Sequence, residues 1–448
     1  MSKTKTKFIC SECGFESLKW LGKCPSCDSW NSFSEEIIET GRNAPKKFNG
    51  EVKISRLTFH PEEEDKRIKT NINEFDRVLG GGIIPGSVIL IGGDPGIGKS
   101  TLVLQAAAKM PGKVLYVSGE ESFNQIALRA KRLNVKSENI SIVTETNLNL
   151  ILAAIKQTEA AVVIIDSIQT VYNPDLENTP GTVTQIRECA SVLMQIAKTT
   201  HCAIIIVGHI TKEGIIAGPK ILEHIVDAVI QFEGERSSSY RILRGQKNRF
   251  GSTNEIGIFE MYEDGLREVE NPSEIFLGDR EKDISGSVVT ASIEGSRAVL
   301  FEVQALVTPS NFGNPQRVAT GFDYRRLSIL LAVLEKRAGL RLSAFNVFLN
   351  MAGGLKIDDP AVDLAVCCAI ASSYKDKPVQ KDLVAIGEIG LGGELRSIGQ
   401  VEKRIAESEK LGFSNIIVSS NSVKNIKNSS IKIISMKDIL SVINNILG

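Results

Sequence analysis

The nine residues GDPGIGKST at 93–101 constrain the fold more tightly than any other part of the chain. An apolar run from Val88 to Ile91 leads into Gly93-x-x-x-x-Gly98-Lys99-Ser100, and a helix-compatible stretch, TLVLQAAAKM, follows. A strand, a glycine-rich loop and a helix in that order are the parts of a phosphate-binding loop. Glycines let successive backbone N–H groups wrap the phosphates, and the helix that follows adds the positive end of its dipole. The nucleotide-binding set is then Gly93, Asp94, Pro95, Gly96, Ile97, Gly98, Lys99, Ser100 and Thr101. Lys99 is expected to reach the outer phosphates of ATP and Ser100 to ligate Mg2+.

A phosphate-binding loop commits the surrounding chain to an α/β fold whose working groups lie at the carboxyl ends of parallel strands. AAVVIIDSIQT is an apolar strand that ends in Asp166, suited to hold the magnesium shell. GKVLYVSGEES is another, ending in Glu120 and Glu121. Glu120 is expected to polarise the attacking water, with Glu121 as the alternative base. AIIIVGH ends in His209, placed to sense the terminal phosphate.

With 448 residues, 42% of them hydrophobic, the chain fills more than one core. Its 53 basic and 53 acidic residues balance, so contact with nucleic acid would come from local patches or a lined channel rather than from a global field. No run approaches the roughly 20 apolar residues of a membrane span, and MSKTKTKFICSEC lacks the apolar stretch of a signal peptide. A cytoplasmic protein with no membrane contact is expected. Cys10, Cys13, Cys24 and Cys27 are spaced C-x2-C-x10-C-x2-C, which suits one tetrahedral Zn2+ held by four thiolates. Four protein ligands leave no position for substrate, so this zinc folds a ribbon and does not catalyse. Two disulfides are the alternative use of these cysteines, disfavoured in a reducing compartment. Cys189, Cys202, Cys367 and Cys368 sit in apolar surroundings and read as core thiols.

Taken together, LGGGIIPGSVILIGGDPGIGKST, YVSGEES, VIIDSIQT and VGHITKEG resemble the RecA-type ATPase core. The four-cysteine ribbon and KNRFG at 247–251 narrow the resemblance to the RadA (Sms) family of bacterial DNA repair proteins, over essentially the whole chain. That resemblance implies a DNA-dependent ATPase of homologous recombination that translocates on single-stranded DNA and promotes branch migration. It further implies a hexameric ring, single-stranded and branched DNA as ligands, and a RecA-type recombinase as partner. The alternative is an ATP-dependent protein-remodelling ring or an adaptor for a Lon-like protease. The expected division is a zinc ribbon at 1–33, a linker at 34–55, a RecA-like ATPase domain with a mostly parallel sheet at 56–271, and an α/β domain at 272–448 that resembles the Lon proteolytic domain. In IDDPAVDLAV the place of the Lon serine is held by Ala361, and in SIGQVEKR the place of its lysine is held by Glu402, so peptide hydrolysis is not expected.

For DNA the candidates are Lys212 and Lys220 in the loop 211–220, the loop 173–184, and Arg325 and Arg326 at the start of a helix at 325–338. The centre of that helix, LSILLAVL, is apolar nearly all round and is expected to be buried. In the KNRFG motif, Lys247 and Arg249 are two residues apart and project from one face of a strand, while Asn248 and Phe250 point the other way and Gly251 permits a turn. By the resemblance to ring ATPases, Lys247 and Arg249 are expected to complete the catalytic site of the adjacent subunit; a DNA phosphate is the other anion they suit.

Overall fold

The computed structural model describes residues 4–10, 15–26, 28–39, 66–136, 138–209, 222–234, 239–277, 284–310, 313–352, 357–423 and 429–448. Cys13, Cys27, Lys212 and Lys220 lie outside the described residues. The chain divides into two compact units, Met1–Glu268 and Val269–Gly448.

The first unit begins with a small antiparallel sheet in the order β2-β1-β3, made of β1 (Thr4–Cys10), β2 (Glu16–Ser17) and β3 (Phe33–Glu39). β3 pairs with β1 from Phe33 opposite Cys10 to Glu39 opposite Thr4. The stretch read as the start of a linker is therefore strand as far as Glu39, because a full-length partner strand satisfies its backbone groups.

The main sheet of this unit has nine strands: β4 (Val88–Gly93), β5 (Val114–Ser118), β6 (Ile140–Thr144), β7 (Val162–Asp166), β8 (Ala203–Val207), β9 (Ala228–Glu233), β10 (Tyr240–Asn248), β11 (Ile256–Tyr262) and β12 (Gly265–Glu268). Their order is β12-β11-β10-β9-β4-β8-β7-β5-β6. β9 through β6 run parallel, and β10, β11 and β12 are added antiparallel at one side. The central strands are mostly Val, Ile and Leu because both of their faces are covered. Ile89 and Ile91 face a core that includes Leu102 and Ala106 of helix Lys99–Lys109. Val88 and Leu90 face the opposite core, with Ile151 of helix Leu148–Thr158 and Leu193 of helix Val183–Thr200. Strand periodicity thus fixes which helix each residue meets, and it leaves every parallel strand opening at the same carboxyl edge.

The second unit is a seven-stranded mixed sheet. The apolar alternation at 288–307 folds as a hairpin, Ser287–Glu294 against Arg297–Pro309, with Gly295 at φ 64° in the turn. Helix Asp363–Lys375 is buried from Asp363 through Ser372. Helix Tyr324–Ala338 differs from the expectation of burial all round. It buries Leu327, Leu330, Leu331, Val333 and Leu334, whereas Ser328, Ile329 and Ala332 are exposed. The pattern within LSILLAVL is an apolar stripe and not a full cylinder.

Candidate nucleotide site

The loop after β4 leaves the sheet at its carboxyl edge. Asp94, Pro95 and Gly96 form an exposed tip, Ile97 and Lys99 are buried beneath it, Gly98 is half-buried, and Ser100 and Thr101 are half-buried in the first helical turn. Gly93 has no alternative: φ is 157°, and a Cβ there would lie 2.6 Å from the Phe232 carbonyl oxygen. Lys99 Nζ donates to the carbonyls of Gly93 at 2.7 Å and Asp94 at 2.9 Å. Burial pushes its pKa down to about 8, against the opposing pull of Asp166, Asp94 and Glu120. Among the described residues this buried ammonium is bonded to neutral carbonyls alone, which suits it to an anion in the glycine-rich loop. Arg241 at the start of β10 braces the loop from below, its Nε 3.2 Å from the Ile97 carbonyl.

Three further strands deliver their terminal residues to the same edge. Asp166, the last residue of β7, is almost fully buried and accepts a 2.5 Å hydrogen bond from Tyr116 Oη in the neighbouring β5. Burial and the facing carboxylate raise the Tyr116 pKa well above that of a free phenol, so its proton stays in place. Glu120 and Glu121 follow β5 and diverge. Glu121 is tied to Arg129, and its backbone N–H and carbonyl both bond to Ser118 Oγ. Glu120 turns to the open side, where Ser167 Oγ donates to it and His209 Nε2, after β8, lies 3.3 Å from the same oxygen. Asp166, Ser167, Glu120 and His209 thus meet at the edge that carries Lys99. Tyr116, Ser167 and Arg241 were not singled out from the sequence. Tyr116 had a signal, a phenol inside the otherwise aliphatic strand VLYVS.

KNRFG lies at the other end of the sheet. β10 runs antiparallel to β9, so Leu243 is level with Phe232 and Gly93, whereas Asn248 is level with Ala228 and Ile89. Arg249 Nη1 reaches Asp227 at 3.2 Å, and the other Asp227 oxygen accepts from the Val88 N–H at 3.1 Å. Val88 to Gly93 is a strand of 6 residues, its ends about 16 Å apart at the usual rise, so the motif stands well away from this chain's own phosphate loop. The strand ends at Asn248 with a bulge between Gly245 and Lys247, which corrects the reading of Lys247 and Arg249 as alternate residues of a regular strand. Both still turn to the segment 223–227: Lys247 Nζ donates to the carbonyls of Glu223 and Val226, and burial lowers its pKa. Asn248 Oδ1 accepts from the Phe250 N–H at 2.9 Å, and Phe250 is exposed. Gly251 is needed for closeness and not for a left-handed turn, since a Cβ there would be 3.1 Å from Gly80 Cα.

The remaining candidates separate. Arg325 is exposed at the start of its helix, but Arg326 turns inward and forms a two-pronged ion pair with Asp363, which has no exposed surface. That pairing removes Arg326 as a free phosphate contact. The loop 173–184 is folded around the buried Gln185 amide, which bonds to Asn173 and Asn178, and it carries Asp175 and Glu177 with no cation. Ala361 is fully buried with its N–H capped by Asp359 at 2.9 Å, and Glu402 is exposed on its helix. Cys10 and Cys24 are buried, in no disulfide, and share one small core with Phe33. That arrangement fits two thiolate ligands of a closed zinc site.

The fold and this edge define a P-loop ATPase of α/β architecture, carrying an amino-terminal zinc ribbon and using ATP, Mg2+ and Zn2+. Residues 55–214 match the AAA domain family, residues 8–35 the rubredoxin metal binding domain, and residues 324–422 the family described as subunit ChlI of Mg-chelatase. The chain is 50% identical over 457 residues to the DNA repair protein RadA of Bacillus subtilis (strain 168), covering 100% of both chains. It is 53% identical to the proteins of that name from Halalkalibacterium halodurans, over 93% of each chain, and from Listeria monocytogenes, over 95% of this chain and 94% of that one. The chain belongs to the RadA family of DNA repair proteins. A solved ATPase domain overlaps 45% of the chain at 16% identity and a TM-score of 0.40, too loosely to bear on function.

Proposed function

We propose that this DNA repair ATPase is a DNA-dependent motor of homologous recombination, which hydrolyses ATP to move on single-stranded DNA and to promote branch migration. The observation that carries the chemistry is the meeting of Lys99, Asp166, Glu120 and His209 at one sheet edge, with Glu120 the carboxylate left facing outward. Lys99 exchanges its loop carbonyls for phosphate oxygens. Ser100 and Asp166 would hold the magnesium, which would supply charge neutralisation on the phosphates. Glu120 takes a proton from the water that attacks the terminal phosphorus, while the bond to the bridging oxygen breaks to release ADP. Ser167 and His209 hold Glu120 toward the open side, and His209 passes the phosphate state on to the chain that follows it.

Lys247 and Arg249 complete the site of an adjacent subunit in a hexameric ring. Support comes from their position at the sheet end opposite the chain's own phosphate loop, where they serve a neighbour better than their own site. A division into a ribbon that extends to Glu39, an ATPase domain at 56–271 and a last domain at 272–448 makes the last part an assembly scaffold; with Ala361 and Glu402 in the dyad positions it has no serine nucleophile and no lysine base there. Lys212, Lys220 and Arg325 are the cations offered to DNA. A RecA-type recombinase is the partner, and the cytoplasm the compartment.

The test is steady-state ATP hydrolysis with and without single-stranded DNA. Wild type should be stimulated by the DNA. Glu120→Gln should bind ATP normally and turn over about 100-fold or more slowly. Turnover of Glu120→Gln at the wild-type rate would move the base elsewhere, and an absence of any DNA stimulation would remove the motor.

A further inference from the structure

The zinc ribbon leaves both of the chain's tryptophans in solvent. Its interior is already filled by Cys10, Cys24 and Phe33, with Phe8 and Leu21 packed against them. Trp20 is nevertheless 53% exposed and Trp30 72% exposed. A domain this small gains most from every large ring it buries, so two indoles held outside its core ask for a ligand.

Backbone pairing fixes their setting. Trp30 pairs with Lys23 across an antiparallel bridge, and the Asn31 N–H donates to the Gly22 carbonyl at 2.8 Å. A Cβ on Gly22 would lie 3.8 Å from Trp20 Cζ3 and 4.0 Å from Trp30 Cζ3, so the edges of both rings come to the same glycine. Neither indole stacks on another aromatic ring among the described residues. Lys19, next to Trp20, is exposed and makes no ion pair among the described residues. Among the described residues Lys23 is ion-paired with Asp28 alone, at 2.6 Å, in an exposed pair of little net strength. The loop thus offers two flat apolar faces beside two cations, with Asp28 the one acid between Ser17 and Trp30.

We propose that Trp20 and Trp30 form a stacking platform for the bases of single-stranded nucleic acid, with Lys19 and Lys23 on the adjoining phosphates. An unpaired base presents a π-face that an indole matches, whatever its identity; a duplex hides those faces inside its stack. The platform therefore distinguishes single strand from duplex without reading sequence. The proposal rests on the reading of this protein as a DNA-binding motor, which the experiment tests separately.

Because the chain has no other tryptophan, its emission under selective tryptophan excitation reports this site alone. Full-length, zinc-loaded protein is titrated with fluorescein-labelled oligothymidylate, following tryptophan emission on unlabelled oligomer and anisotropy on the labelled one. Emission should be quenched by oligothymidylate and not by duplex of the same length. The double substitution Trp20→Ala, Trp30→Ala should weaken binding about 10-fold or more, on the usual strength of a base–aromatic stack. Trp20→Phe with Trp30→Phe, which keeps two rings, should restore affinity, and zinc content equal to wild type shows that the ribbon is folded. Normal anisotropy with unchanged emission and full binding by the alanine variant would overturn the platform and leave the motor standing. An emission shift produced only by a protein partner such as a recombinase would likewise overturn it. If labelled oligomer does not bind at all, the DNA reading fails and the platform with it.

Discussion

At the scale of single residues, the two adjacent acids after β5 show how environment divides labour. Glu121 is spent on Arg129, and burial raises its pKa, whereas Glu120 faces the open edge beside Ser167 and His209. Asp166 is oriented by Tyr116, whose hydroxyl has no other role visible in the site. Tyr116→Phe should therefore raise the Mg2+ concentration for half-maximal turnover several-fold while the rate at saturating Mg2+ is largely retained. Loss of a hydrogen bond to a charged acceptor should also cost about 1.5–3 kcal/mol of stability. An unchanged magnesium titration would show that Asp166 is oriented without the phenol. The placement of Lys99, Asp166 and Glu120 just at or beyond strand ends was legible in the sequence because that position is set by local apolar runs. Tyr116 and Ser167 were not, because their roles depend on β5 lying next to β7, a neighbourhood that no local pattern encodes.

At the scale of elements, the same contrast separates Arg325 from Arg326. Both stand at the start of helix Tyr324–Ala338, but the roughly 100° between adjacent helical positions sends Arg326 to a buried Asp363 on another helix. Burial raises the Asp363 pKa and Arg326 pulls it back. Removing the cation strands a buried carboxylate, so Arg326→Ala should lower unfolding free energy by about 3 kcal/mol, whereas Arg325→Ala should stay within about 0.5 kcal/mol. Urea denaturation of the two variants separates structural from phosphate-binding roles. The cysteines divide in a comparable way. Burial pushes the Cys189 and Cys368 thiols up to about 12 and Cys202 to about 11, so they are neutral and unreactive near pH 7. Chelation of zinc should expose four alkylatable thiols in the ribbon and leave the other four protected until the protein unfolds. Modification of all eight together would mean that the ribbon and the core do not melt independently. The C-x2-C pairs announced the metal; the continuation of β3 to Glu39 was hidden, since it depends on pairing with β1 rather than on composition.

At the scale of the whole molecule, the sheet of the first unit places two groups of charged residues at opposite ends. The carboxyl edge carries the phosphate loop and the acids, and the amino edge of β4 carries Lys247 and Arg249 around Asp227. An antiparallel β10 is what sends a motif so near in sequence to the Arg241 brace to the opposite end. Sequence alone supplied the cations and the strand but not this direction, which is a property of sheet topology. A site assembled from two subunits follows if the amino edge of one copy meets the carboxyl edge of the next. The most direct measurement mixes Lys99→Ala subunits with Lys247→Ala subunits and follows ATP hydrolysis. Each variant alone should be inactive, Lys247→Ala while still binding ATP, and the mixture should recover turnover, because some interfaces then pair an intact phosphate loop with an intact Lys247. Mixed subunits that recover nothing, with Lys247→Ala showing only weaker and less salt-dependent DNA binding, would place the motif on DNA and contradict the shared site.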